Sequence, residues 1–166
     1  MFSLIPKGKI KMIGTRILLV DDEIVFTNNM SKLLTTRGYR VTAVNSGDSA
    51  IRELDEKVFD VVVLDLKMPG MDGITTLKEI KKLGLFTETL ILTGHGSIDT
   101  AMEAIKLGAY DYLTKPCEVD ELVDKIEGAW DKKDEVEKKD MQEKIQKVVE
   151  SPLSVFDLFP DDRKRK

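Results

Sequence analysis

The sequence predicts an α/β domain in which a parallel sheet is doubly wound by helices on both faces. Three features predict it. Short, unbroken apolar runs alternate with helical patterns five times between Arg16 and about Trp130. The runs do not alternate apolar with polar residues, so the strands are buried on both sides, as in parallel sheets. Caps and glycines punctuate the joins. Crossovers between parallel strands are right-handed, which winds the sheet on both faces. Periodicity alone leaves the strand order open.

Each element follows from its residues. Arg16-Ile-Leu-Leu-Val20 is an apolar run that stops at Asp21-Asp22. Ile24, Phe26, Met30, Leu33 and Leu34 then recur at mostly helical spacing, and Gly38 stands where a C-terminal cap belongs. Tyr39–Val44 is β-prone. Asp48–Lys57 reads as a helix with Asn45 or Ser46 as its N-cap. Asp60–Asp65 is a second apolar run ending in an aspartate. Asp72–Leu83 is helical and closed by Gly84. Thr89–Thr93 is a buried strand. Ser97–Leu107 is a helix capped by Ser97, with Asp99 in its first turn and Gly108 past its end. Tyr110–Thr114 is a short strand stopped by Lys115-Pro116, and Glu118–Trp130 begins the last helix.

These elements place one folded domain over residues 15–132. Residues 1–14, with Pro6, Gly8, Gly14 and scattered lysines, are expected to be a flexible lead-in. Residues 133–150 are expected to form a charged helical extension. Twelve of the 17 residues from 131 to 147 are charged, six of each sign, a pattern that pairs opposite charges along a solvated helix. Residues 151–166, with two prolines and a basic end, are expected to be a flexible tail.

Composition excludes several classes. Apolar residues make up 42% of the 166 residues, an ordinary globular share that argues against wholesale disorder. A single cysteine, Cys117, excludes an internal disulfide and a Cys-rich zinc site. A single histidine, His95, excludes a His-based metal cluster. The longest strongly apolar runs, Ile17–Val20 and Val61–Leu64, are four residues long, so no membrane span is expected. No apolar stretch follows the N-terminal lysines as a secretory signal would. The expected compartment is therefore the cytoplasm. The 26 basic and 30 acidic residues give a net charge of −4, and the last four residues are all basic, so the body is more acidic still. Such a body argues against a general nucleic-acid surface and suits carboxylates gathered around a cation.

The strand ends carry the chemistry. One strand ends in Asp21-Asp22-Glu23, another in Asp65, another in Thr93 and the last just before Lys115. In a parallel sheet these ends share one edge, so acids, a hydroxyl and an ammonium converge from distant segments. Clustered carboxylates need a cation to stay ionised, and hard oxygen ligands select Mg²⁺. A lysine offsets the other side of an incoming phosphoryl group. A central carboxylate can act as nucleophile and form an aspartyl phosphate.

Four segments carry a resemblance. Leu18-Leu-Val-Asp-Asp-Glu23, Leu64-Asp-Leu-Lys-Met-Pro-Gly-Met-Asp-Gly73, Leu92-Thr-Gly-His95 and Ala109-Tyr-Asp-Tyr-Leu-Thr-Lys-Pro116 resemble the receiver domain of bacterial two-component response regulators, over about residues 15–132. The stretch from Gly94 to Pro116 is similar to receivers of the nitrogen-regulator type. The resemblance implies the flavodoxin-like fold, a five-stranded parallel sheet of order 2-1-3-4-5. It implies Asp65 as phosphoacceptor, with Mg²⁺ bound by Asp22, by Asp21 mostly through water, by Asp65 and by the Lys67 backbone carbonyl. Thr93 is implied as hydrogen-bond donor to the phosphoryl group and Lys115 as its ionic partner. Tyr112, with Thr93, is the implied switch. A cis bond before Pro116 is implied too.

Other readings stand beside these. Tyr112 also reads as a core or edge aromatic, His95 as a loop residue, Cys117 as an inert small residue, and Met68, Met71 and Met102 as packing. An Asp-nucleophile phosphatase of the haloacid-dehalogenase kind is the enzyme alternative, but it needs an acid where Lys67 stands. The resemblance instead implies no enzyme beyond catalysis of its own phosphorylation and dephosphorylation. Its implied partners are a sensor histidine kinase or phosphotransfer protein. Only some 30 residues follow the last strand–helix unit, without a DNA-binding segment. That leads to a stand-alone receiver with an unknown output protein and a phosphorylation-dependent homodimer, a truncated transcription regulator being the alternative.

Overall fold

The computed structural model describes residues 14–94 and 98–158, without the side chains of Phe156 and Asp157. The elements run β1 (Arg16–Val20), α1 (Ile24–Thr36), β2 (Arg40–Val44), α2 (Gly47–Glu56), β3 (Val61–Leu64), α3 (Gly73–Lys82), β4 (Glu88–Thr93), α4 (Ile98–Lys106), β5 (Asp111–Thr114) and α5 (Val119–Glu150). A 3₁₀ turn, Pro152–Ser154, and a four-residue helix, α6 (Val155–Leu158), follow inside the stretch read as a tail. The expectations for residues 1–13 and 159–166, the Ser97 cap and the His95 loop lie outside the described residues. The described chain divides into two compact units, one ending at Lys133 and the other beginning at Asp134.

In the first unit the five strands are all parallel, in the order β2-β1-β3-β4-β5. Successive strand residues point to opposite faces, and both faces are apolar. Ile17, Leu19, Val61, Val63, Leu90 and Leu92 turn toward Met30 and Leu34 of α1 and Leu122, Ile126 and Ala129 of α5. Leu18, Val20, Val62, Leu64 and Ile91 turn the other way, toward α2, α3 and α4. Two helices therefore cover one face and three the other. Ser46 caps α2 by accepting from the Ser49 N–H at 3.2 Å. Gly38, with φ 92°, takes the left-handed conformation that ends α1 and turns the chain into β2. Met102, read as packing, is 48% exposed on α4.

In the second unit the helix is laced by charge. Asp134 pairs with Lys138 at 2.7 Å and Asp140 with Lys144 at 2.8 Å, each acid one turn before its base. Pro152 opens the 3₁₀ turn, where its missing N–H costs nothing. Among the described residues no helix is long and apolar enough to cross a membrane.

The N-terminal edge of the sheet is locked by one aspartate, Asp60, which opens the apolar run Asp60–Asp65. Asp60 is 4% exposed. Its carboxylate accepts from the Arg16 backbone N–H at 2.8 Å and from the Arg16 guanidinium at 2.9 and 3.1 Å, and pairs with Lys133 at 3.1 Å. Burial pushes its pKa up, but the Arg16 and Lys133 donors outweigh burial and hold it below the usual carboxylate range. A depressed pKa adds stability above the unfolded value near 4, and the gain is lost as pH falls through the folded value. Asp60→Asn should therefore cost about 2 kcal/mol at pH 7, by leaving cations short of their partner. Urea melts at pH 7 and pH 3 check this: the gap between variant and parent should narrow in acid.

Candidate functional site

Strand register assembles the site at the opposite edge. Val20 of β1 lies opposite Leu64 of β3, and Thr93 of β4 opposite Thr114 of β5. The next residue of each leading strand makes one more ladder bond. The Asp21 N–H donates to Val44 O at 3.2 Å, Asp65 N–H to Val20 O at 2.9 Å, and Lys115 N–H to Thr93 O at 2.7 Å. Each side chain is thereby fixed one step past its strand. The Asn45 amide donates to Asp21 O at 2.8 Å and steadies that turn. The Glu23 N–H donates to Asp21 Oδ1 at 2.9 Å, and the Lys67 N–H to Asp65 Oδ1 at 3.2 Å.

Gly73 brings α3 against the turn after Asp65. A Cβ there would sit 2.3 Å from Leu66 Cα and 2.5 Å from Asp65 O, so only glycine fits. Asp72, in the same motif, faces elsewhere: it caps α3 by accepting from the Thr75 N–H at 2.7 Å. At Gly94 a Cβ would meet nothing within 4 Å among the described residues. The Lys115–Pro116 bond is cis.

Carboxylate oxygens of Asp21, Asp22 and Asp65 lie within 4.8 Å of one another. Asp21 and Asp65 are 1% and 5% exposed, while Asp22 reaches solvent. Lys115 Nζ makes a short contact with Asp21 and lies 3.2 Å from Glu23 and 3.8 Å from Asp65. It also sits over the Phe26 ring, 4.3 Å from its centroid. Burial, then the charge of Asp21, pushes the Asp65 pKa up to about 6 against the pull of the Lys67 N–H and Lys115. Burial would lower the Lys115 pKa, but the carboxylates of Asp21, Asp65 and Glu23 together raise it.

The hydroxyl of Thr93 is buried and has no hydrogen-bond partner among the described residues. Tyr112 is half-buried and packs on the face covered by α2–α4. The structure thus brings together Asp21, Asp22, Asp65 and Lys115, with Thr93 at the same edge. Lys67 enters through its backbone, and its side chain is exposed. The shared strand edge brings the Asp21–Glu23 segment and Lys115 together, but which side chains of that segment and of α1 touch the ammonium, Glu23 and Phe26 among them, is set by packing and not by local sequence. The donor set fits a hard divalent cation: three carboxylates converge, two of them buried, with one ammonium against them.

A family model for the response regulator receiver domain matches residues 17–127. The chain belongs to that family. The receiver is 47% identical over 113 residues to the transcriptional regulatory protein ZraR of Escherichia coli O157:H7, covering 68% of this chain and 26% of that protein. It is 40% identical over 113 residues to the transcriptional regulatory protein FixJ of Bradyrhizobium diazoefficiens, covering 68% of this chain and 55% of that one. A receiver domain protein from Clostridium thermocellum has a similar solved structure, with TM-score 0.70, 36% identity and coverage of 74% and 98% of the two chains. The fold and order expected from the resemblance are those observed.

One expectation is corrected. The chain spans about a quarter of the length of the ZraR relatives, which are named as transcriptional regulatory proteins. It corresponds to the receiver part of such regulators, so the reading of a stand-alone receiver without a DNA-binding domain, serving an unknown output protein, does not hold. The error has a physical source. A receiver completes its own core and caps, so its sequence looks finished whether or not more chain follows.

Asp65 strains the fold it sits in. Its folded-state pKa is above the unfolded value, so ionisation opposes folding at neutral pH, and the cost is relieved as pH falls from about 6 toward 4. Asp65→Asn should stabilise the metal-free receiver by about 1–2 kcal/mol at pH 7. Thermal unfolding in EDTA checks this, and the advantage should vanish near pH 4.

Proposed function

We propose that Asp65 accepts a phosphoryl group from a histidine kinase and that the modified site resets the surface of α4, β5 and α5. What carries this reading is one juxtaposition: a buried carboxylate faces an ammonium, and a buried hydroxyl without a partner among the described residues shares the same edge. An Asp65 carboxylate oxygen attacks phosphorus, the P–N bond of the donor phosphohistidine breaks, and the leaving imidazole nitrogen keeps the electron pair and takes a proton. In the reverse sense of the signal, water attacks phosphorus and the P–O bond to Asp65 breaks.

Asp21, Asp22, Asp65 and the Lys67 carbonyl are the residues that would hold Mg²⁺. When bound, Mg²⁺ offsets charge on the phosphoryl oxygens. The protein's part is to position and to neutralise. Lys115 pairs with the phosphoryl group as a point charge. The Thr93 hydroxyl donates to a phosphoryl oxygen, which satisfies a buried group that has no partner among the described residues. The shift of Thr93 frees space for Tyr112 to turn inward, and the end of β5 carries the change to α4 and to α5 as far as Trp130. This is a local charge event biasing a two-state element. The relatives are transcriptional regulatory proteins, and the same switch serves control of transcription here.

Acetyl phosphate with Mg²⁺ should add one acid-labile phosphoryl group, and Asp65→Asn, which keeps the shape and removes the nucleophile, should abolish it. Intact-protein mass spectrometry reads both, and labelling of Asp65→Asn at equal stoichiometry would sink the assignment. Thr93→Ala should still be labelled, while the amide-exchange change across Ile98–Trp130 shrinks severalfold.

A further inference from the structure

We infer that Phe26 is a positioning residue for Lys115, its ring face fixing the ammonium within reach of Asp65. The inference deepens the proposed phosphoacceptor role of Asp65 and rests on it.

The argument starts from what else holds Lys115. Its Nζ has three anionic neighbours, Asp21, Glu23 and Asp65. Two of these, Asp21 and Asp65, belong to the carboxylate cluster that fits a divalent cation. A cation shared by those carboxylates weakens their hold on the ammonium. The third, Glu23, is 64% exposed at its side chain, so water screens that contact and lets it exchange. Left to these partners, a four-carbon side chain with a strongly hydrated head would have no fixed seat once the cluster binds a metal.

The ring differs from all three. Phe26 is half-buried on α1 and packs against the cluster formed by Ile17, Leu19, Met30, Leu34 and the helix α5. Its face lies 4.3 Å, centroid to Nζ, from the ammonium of a lysine whose side chain is 15% exposed. A quadrupole neither titrates nor coordinates a metal, so this contact survives when the carboxylates are engaged. It also forms no directional bond, so Lys115 can swing toward a phosphoryl group on Asp65 without losing it. A phenyl ring at this place thus biases Lys115 toward the one geometry in which it can neutralise a developing charge.

The test separates contact from packing. In the metal-free protein, the ring current should shift the Lys115 ε-protons upfield, and Phe26→Leu should remove that shift while Phe26→Trp keeps it. With Mg²⁺ and beryllium fluoride as phosphoryl mimic, read by fluorine NMR, Phe26→Leu should weaken binding about three- to tenfold, the size of a half-buried cation–ring contact, and Phe26→Trp should restore it. In a Lys115→Met background the Phe26→Leu change should alter binding by less than about twofold. An equal weakening in both backgrounds would show that the ring acts only through packing and would overturn the inference. Failure of the parent to bind the mimic would instead count against the Asp65 assignment, and the ring-current arm would still decide whether Phe26 seats Lys115.

Discussion

The parallel pairing of β1 with β3, Val20 opposite Leu64, sets two buried aspartates side by side, and much of the receiver answers to that juxtaposition. Neither acid has room to leave. Each backbone N–H completes a ladder bond, and Gly73 lets α3 close down on the turn after Asp65. Two buried carboxylates in contact with apolar layers are costly unless something positive faces them. Lys115 meets that demand from β5, two strands away from β3, so the sheet order is itself part of the charge balance.

The two edges of the sheet handle charge in opposite ways. At the N-terminal edge Asp60 is saturated: a guanidinium, a backbone N–H and an ammonium meet one carboxylate. At the C-terminal edge Asp21, Glu23 and Asp65 share Lys115, and the Thr93 hydroxyl has no partner among the described residues. The first arrangement is spent on stability. The second leaves polar groups unsatisfied, which costs stability and leaves capacity for a ligand. The pKa directions agree, with Asp60 held low and Asp65 pushed high.

The strands, their apolar runs and most caps were legible because each is written in neighbouring residues. Ser46 and Asp72 lie where capping chemistry wants them, and Asp21, Asp65, Thr93 and Lys115 follow from the rule that parallel strands end on one edge. Contacts between distant segments were not legible. Asp60 read as the start of an apolar run because its partners, Arg16 and Lys133, are 44 residues before it and on the far helix. Phe26 read as one more apolar residue at helical spacing, and its use as a seat for Lys115 needs α1 and β5 brought together. Met102 shows the converse: it reads as a packing residue like Met68, yet it lies on an exposed part of α4 while Met68 is buried.

The sheet's asymmetry explains why a change at Asp65 would leave through β5. The strand carrying Asp65 is buried at all four residues, and β4 is buried at five of six. Neither can shift without disturbing both layers of core. By contrast β5 is an edge strand, half-buried along its whole length and paired with β4 alone. Its end holds Lys115, Tyr112 leans on the α2–α4 face, and Asp111 is paired with Lys125 of α5. The opposite edge, β2, is as lightly packed but meets the site at the Asp21 backbone, where the Val44 carbonyl receives the Asp21 N–H and the Asn45 amide donates to Asp21 O. A pull on Lys115 therefore acts on the one strand that is both attached to the charge cluster and weakly held, and loosely packed elements are where local rearrangement costs least.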